Sequence, residues 1–116
     1  EIYKVKNSST AAEIMVDGLE YPKNTCFICA TDRIAVGVQR AILKKGNIPE
    51  DYGVTGFDGV FLDRIASPKM TTMKQEVEQM GRACVELLMK RIDGKKLKKT
   101  ANYFDAHLVK RETLRP

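Results

Sequence analysis

The chain reads as an α/β protein, a parallel sheet flanked by helices, and three observations carry that reading. Apolar strand-like runs and amphipathic helical runs alternate through the middle of its 116 residues, the pattern of a parallel sheet with crossover helices. Two of the strands deliver a carboxylate at their C-terminal ends, Thr31-Asp32 and Gly56-Phe57-Asp58-Gly59, where parallel sheets place ligands. The length allows one modest domain at most, and no internal repeat or low-complexity segment interrupts it.

The elements can be taken in chain order. Glu1 to Lys6 alternates Ile2, Tyr3 and Val5 with charges and reads as an extended entry segment. A helix is expected after Ser8-Ser9, where Thr10-Ala11-Ala12-Glu13 fits a capping box and Ala12, Met15 and Leu19 form a stripe. Gly18 and Tyr21-Pro22 end it. Cys26 to Ala30 is a continuous apolar strand, read as central and covered on both faces. Asp32 is a plausible cap for a second helix, whose apolar face is Ile34, Val38, Ala41 and Ile42 and which Gly46 and Pro49 stop. Val54 to Phe57 is the next strand, Val60 to Arg64 a helical turn, and Met70 to Met73 a short strand. A long helix runs from about Glu76 to Ile92, with Val77, Met80, Cys84, Leu87 and Leu88 on its apolar stripe. Ala101 to Arg111 reads as one or two strands joined near Asp105-Ala106.

Composition narrows the function classes. No apolar run approaches the ~20 residues that span a bilayer, and no signal peptide is visible, so the expected setting is soluble and cytoplasmic. Opening at Glu1 without Met, the chain reads as a piece of something longer. Cys26 and Cys29 form a Cys-x-x-Cys pair, but residues three apart in a strand point to opposite faces, so they can share neither a metal nor a disulfide. With Cys84 alone on a helix and His107 the only histidine, no metal site and no cofactor is expected. The net charge of +5 gathers in Lys90, Arg91, Lys95, Lys96, Lys98 and Lys99. These straddle a helix end, where cations complement the dipole, and no aromatic residues are interleaved as nucleic-acid binding would want.

Asp58 is the principal candidate for ligand binding. Gly56 and Gly59 bracket it and let backbone and ligand approach closely, and a carboxylate there can accept two hydroxyl hydrogen bonds from a vicinal diol. The competing reading is a cap for the turn at Val60 to Arg64. Thr31 and Asp32 form a second pole at a strand-to-helix turn, with an ordinary N-cap as the rival. Gln75, just after a third strand, could add an amide contact.

Six ordered blocks then carry a resemblance: Cys29-Ala30-Thr31-Asp32-Arg33-Ile34-Ala35-Val36-Gly37, Ile48-Pro49-Glu50-Asp51, Val54-Thr55-Gly56-Phe57-Asp58, Pro68 to Gln75, Met80-Gly81, and Leu108-Val109-Lys110-Arg111-Glu112-Thr113. Over roughly residues 7 to 116 the chain resembles LacI/GalR-type transcriptional repressors, in the C-terminal portion of their effector-binding core, a periplasmic-binding-protein-like type I fold. The resemblance implies that the residue matching Asp58 hydrogen-bonds sugar hydroxyls and that the position of Thr31, often Asn or Asp, does likewise. It implies a mainly structural Asp32, a Gln75 near the crossing between two subdomains, and a C-terminal subdomain formed by residues 1–70 and 103–116. The helix over 76–93 would belong to an N-terminal subdomain lacking here, its apolar face left bare or swapped with a second copy through 76–92. Implied partners are a small-molecule carbohydrate effector, operator DNA through a domain absent from this chain, and a homodimer partner; no membrane and no catalysis are implied. Phe57-Asp58-Gly59 is similar to sucrose- and ribose-operon repressors.

Three rivals remain open. A phosphorelay receiver would use Asp58 as phospho-acceptor with Thr71 or Thr72 and Lys74, but no early acidic pair is present to hold Mg²⁺. A hydrolase would use Asp32 and Asp58 as acid and base. A periplasmic sugar-binding protein shares the fold, though free cysteines weigh against export.

Overall fold

A computed structural model describes residues 1–97 and 101–115; Lys98 and Lys99 of the basic cluster lie outside the described residues. The elements run α1 (Ser9–Asp17), β1 (Cys26–Ile28), α2 (Asp32–Leu43), β2 (Gly53–Asp58), α3 (Leu62–Ile65), β3 (Thr71–Lys74), α4 (Val77–Ile92) and β4 (His107–Val109). They divide into two compact units, one of Glu1–Lys74 with the chain from Leu108 onward, the other of residues 75–107. Among the described residues no helix is long and apolar enough to cross a membrane.

In the first unit, β1 and β2 pair parallel with Phe27 opposite Val54, and β2 and β3 pair parallel with Gly56 opposite Thr72. The sheet order is β1-β2-β3-β4. Sequential neighbours joined by α2 and α3 are what parallel pairing requires, since each strand must return to the same end of the sheet. Ile42, Val38, Ala35 and Ala41 of α2 are buried, as are Val54 and Met70 from the sheet and Ala12 and Val16 from α1. α1 crosses α2 at Gly37, where an added Cβ would lie 2.0 Å from the Ser9 carbonyl oxygen. Lys45 closes the far end of α1 by donating to the carbonyls of Val16, Asp17 and Leu19, the favourable placement of a cation at a helix C-terminus.

Three expectations are corrected. Ser8 caps α1, its hydroxyl accepting from the Ala11 N–H, so no capping box forms. Glu13 instead pairs with Lys44 at 2.8 Å. The cap of α2 is Thr31 rather than Asp32. β1 is neither long nor central: it stops at Ile28 and ends the strand order, leaving Ile28 88% exposed. A continuous apolar run signals that both faces of a strand suit burial, but says nothing of what covers them.

The tail is a buttress. Its strand is confined to His107–Val109, with Asp105-Ala106 before it rather than inside a hairpin. The Thr113 hydroxyl then donates to the Val54 carbonyl at 2.6 Å and accepts the Thr71 N–H at 2.9 Å. Arg111 reaches the buried Asp63 at 2.6 Å and the Met70 carbonyl at 2.8 Å. The block Leu108 to Thr113 thus locks β2 to β3 through partners 40 or more residues away.

In the second unit, α4 buries none of its residues. Val77 and Leu88 are 58% and 59% exposed, and Val85, Met89 and Ile92 are exposed as well. Such a row of apolar side chains marks a surface suited to a partner. Glu76 and His107, both in this unit, approach to 3.2 Å.

Candidate functional site

The candidate site lies at the C-terminal rim of the parallel strands in the first unit. β1 leads through Ala30 into Thr31, and β2 ends on Asp58, whose register partner is Lys74 at the end of β3. Thr31 is half-buried: its hydroxyl accepts the Ile34 N–H at 3.2 Å, as an N-cap does, and donates to Asn7 Oδ1 at 2.7 Å. Asn7 is exposed and sits just before the cap of α1. Sequence reasoning missed Asn7, because the hydrogen bond that brings it to the rim spans 24 residues and no local pattern announces it.

Removing the cap has a defined cost. Thr31→Ala is expected to destabilise the chain by about 1 kcal/mol, read as a lower urea midpoint with an unchanged slope; an unaltered midpoint would show that the cap contributes nothing.

Asp58 is half-buried and holds φ at +114°, followed by Gly59 at +68°. A non-glycine residue in that region is uncommon and costs of order 1–3 kcal/mol, a strain that concentrates at functional sites. Gly59 answers two demands: its own positive φ, and a neighbour so close that an added Cβ would lie 2.6 Å from the Lys74 Cα.

Asp32 is beneath the rim rather than on it. Read from sequence as a rim carboxylate, it is completely buried. Its Oδ2 accepts the N–H groups of Gly59 and Val60 at 3.0 and 3.1 Å, and its Oδ1 accepts the Thr72 hydroxyl at 2.6 Å. Burial pushes its carboxyl above the usual carboxylate range, while the Thr72 hydroxyl and the Val60 and Gly59 amides pull it back. Gly56 is explained by the same side chain, since an added Cβ there would lie 2.1 Å from Asp32 Oδ1. Room for a carboxylate, not for a ligand, is what that glycine supplies.

These contacts bear on the rival chemistries. A general acid or base has to reach substrate, and Asp32 is sealed from solvent. Thr71 and Thr72 are fully buried, one bonded to Arg111 N and Thr113, the other to Asp32, so neither hydroxyl presents itself as a phosphate switch. The Cys26 and Cys29 thiols are free, and burial pushes Cys29 up to about 12, which keeps it protonated and inert. Gln75 begins the second unit and is half-buried.

Comparison with known proteins points in the same direction. The sequence profile of the periplasmic binding protein-like domain matches residues 2–114. The chain is similar to the uncharacterized HTH-type transcriptional regulator YvdE of Bacillus subtilis (strain 168), at 42% identity over 115 residues, 97% of this chain and 36% of that protein. It is also similar to the HTH-type transcriptional repressor PurR of Vibrio atlanticus (strain LGP32), at 32% identity over 106 residues, 90% and 31% of the two chains. Among solved structures, the LacI family transcriptional regulator from Arthrobacter sp. FB24 in complex with lactose aligns with a TM-score of 0.87 and 29% identity, over 96% of this chain and 44% of that one. The chain spans about a third of the length of these curated relatives, which are regulators rather than enzymes.

Proposed function

The chain belongs to the periplasmic binding protein-like domain family, in the form found in LacI-type transcriptional regulators, and from that premise we propose that it supplies one wall of an effector cleft that closes on a carbohydrate. The observation that carries this reading is Asp58, a carboxylate held by a positive φ at the rim of a parallel sheet. Two acceptor oxygens suit the paired hydroxyls of a sugar ring, and the lactose bound by the Arthrobacter regulator supports that class of ligand. Thr31 and Asn7 are the neighbouring polar contacts, Asp32 acts on the ligand only through the loop it holds, and Gln75 contributes from the crossing between lobes.

The intact regulator is a cytoplasmic homodimer that reads its operator through a separate DNA-binding domain, and α4 hides its apolar stripe against a second lobe or by exchange with a second copy. Ligand closes the two lobes about the crossing at Lys74-Gln75 and favours one of two arrangements. A coupling of about 1–3 kcal/mol between effector and operator is the usual scale. The activity is binding, not catalysis.

Calorimetric titration of the regulator carrying this chain with lactose, sucrose and ribose tests the reading. A saturating heat from one sugar is the expected result; no heat from any of the three, with the protein folded, would overturn the carbohydrate assignment.

A further inference from the structure

We propose that Asp32 is a positioning residue, a latch whose carboxylate holds Asp58 in its left-handed conformation and so sets the aim of the rim; the link to a ligand rests on the cleft reading above. The backbone of Asp58 and Gly59 takes two successive positive φ values, an arrangement an unrestrained chain would leave for extended geometry. Directly beyond that reversal, a pair of adjacent N–H groups, on Gly59 and Val60, converges on one oxygen of Asp32. Consecutive amides turned to one side make a small anion-binding concavity, and here the anion is part of the chain.

The other oxygen is tied down independently, by the Thr72 hydroxyl on β3. The space the carboxylate occupies exists only because position 56 is glycine. Loop, strand β3 and strand β2 are thus all fitted to one side chain, which no simple helix-end role for Asp32 would require. The N-terminal amides of α2 are served by another group, since Thr31 accepts from Ile34. Thr72 is also two residues before Lys74, where the first segment of the first unit ends. Asp32 therefore joins the Asp58 loop to the strand from which the chain leaves for the second unit.

The test is amide hydrogen exchange by NMR on the chain itself, with the three-bond HN–Hα coupling of Asp58 as a second reading. In the unmutated chain, Gly59 and Val60 should exchange slowly despite lying in a loop, and Asp58 should show the small coupling that a φ of +114° dictates. In Asp32→Asn a single uncharged oxygen is left for donors that two oxygens of a carboxylate served, so exchange at Gly59 and Val60 should rise about tenfold or more, one charge-assisted hydrogen bond's worth. The Asp58 coupling should move toward the large value of extended backbone, while Val38 and Ile42 in α2 keep their protection.

Fast exchange at both amides in the unmutated chain would overturn the latch without any variant, and covers the case in which Asp32→Asn fails to fold. Equal acceleration at Gly59, Val60, Val38 and Ile42 would also overturn it, by showing a general contribution to stability. None of these measurements uses a sugar: a protein that binds no carbohydrate yet shows the latch refutes the cleft alone. Sugar binding without the latch signature refutes only the positioning role.

Discussion

Asp58→Gly is expected to abolish carbohydrate binding while leaving the first unit folded. Glycine adopts φ near +114° without the strain a side chain incurs, so the backbone path observed at Asp58 survives, and the strain released offsets the loss of the side chain's own interaction within the chain, keeping the melting temperature within a few degrees of the parent. What disappears is a carboxylate able to accept two hydroxyl hydrogen bonds. Hydrogen bonds to a charged group contribute about 1.5–3 kcal/mol each, so losing both weakens binding by about 3–6 kcal/mol, at least a hundredfold. Asp58→Asn keeps one acceptor and tolerates positive φ better than most residues, and an intermediate loss of about tenfold is expected. The ordering parent, Asn, Gly in affinity, set beside near-constant thermal stability, separates ligand contact from folding. A glycine variant that binds its sugar as the parent does would remove Asp58 from the cleft, and with it the main support for the effector reading.

Much of the scaffold was legible because its signals are local and periodic. α2 shows buried Val38, Ala41 and Ile42 where the 3.6-residue spacing put them, and Gly46 and Pro49 come after its end as breakers do. β2, β3 and α4 fall within a residue or so of the expected bounds. What escaped depends on long-range partners. The capping box at Thr10 was a plausible local pattern, yet Ser8 starts the helix two residues sooner and frees Glu13 to meet Lys44 from the far end of α2. Asp32 looked like a rim carboxylate because its burial is imposed by Thr72, 40 residues later.

The glycines around Asp58 show how a sequence signal can be read with the wrong physical reason. Gly56 and Gly59 marked a place where something approaches closely, and sequence alone made that something a ligand. In the structure it is Asp32 at one glycine and Lys74 at the other. A glycine bracket reports close approach of any kind, and only tertiary contacts name the visitor. Asn7 illustrates the opposite failure, an exposed polar residue brought to the rim by one hydrogen bond and marked by nothing in its neighbours.

Close approach also sets a large stability effect at Gly56. In Gly56→Ala the new methyl would lie 2.1 Å from Asp32 Oδ1 and 3.1 Å from Met70 Sδ, and both neighbours are fully buried. No relaxed structure keeps such a contact, so either β2 shifts within the sheet or the Asp32 carboxylate swings away. Movement of Oδ1 breaks the bond from Thr72, and rotation about the side chain withdraws Oδ2 from Gly59 and Val60. Overpacking costs about 1–3 kcal/mol, and each hydrogen bond to a charged acceptor adds about 1.5–3; since coupled losses do not add in full, about 4 kcal/mol is expected. Against a total stability of about 5–15 kcal/mol that is severe, and at this chain length it lowers the melting temperature by roughly 15 °C. Gly81→Ala is the matched control. It lies in α4 with nothing within 4 Å of the added methyl, and replacing an interior helix glycine by alanine stabilises by about 0.5–1 kcal/mol. The two substitutions are chemically identical and should move the melting curve in opposite directions. A Gly56→Ala chain melting within two or three degrees of the parent would mean that Asp32 is not seated over β2, and the account of the rim built on that seat would fall with it.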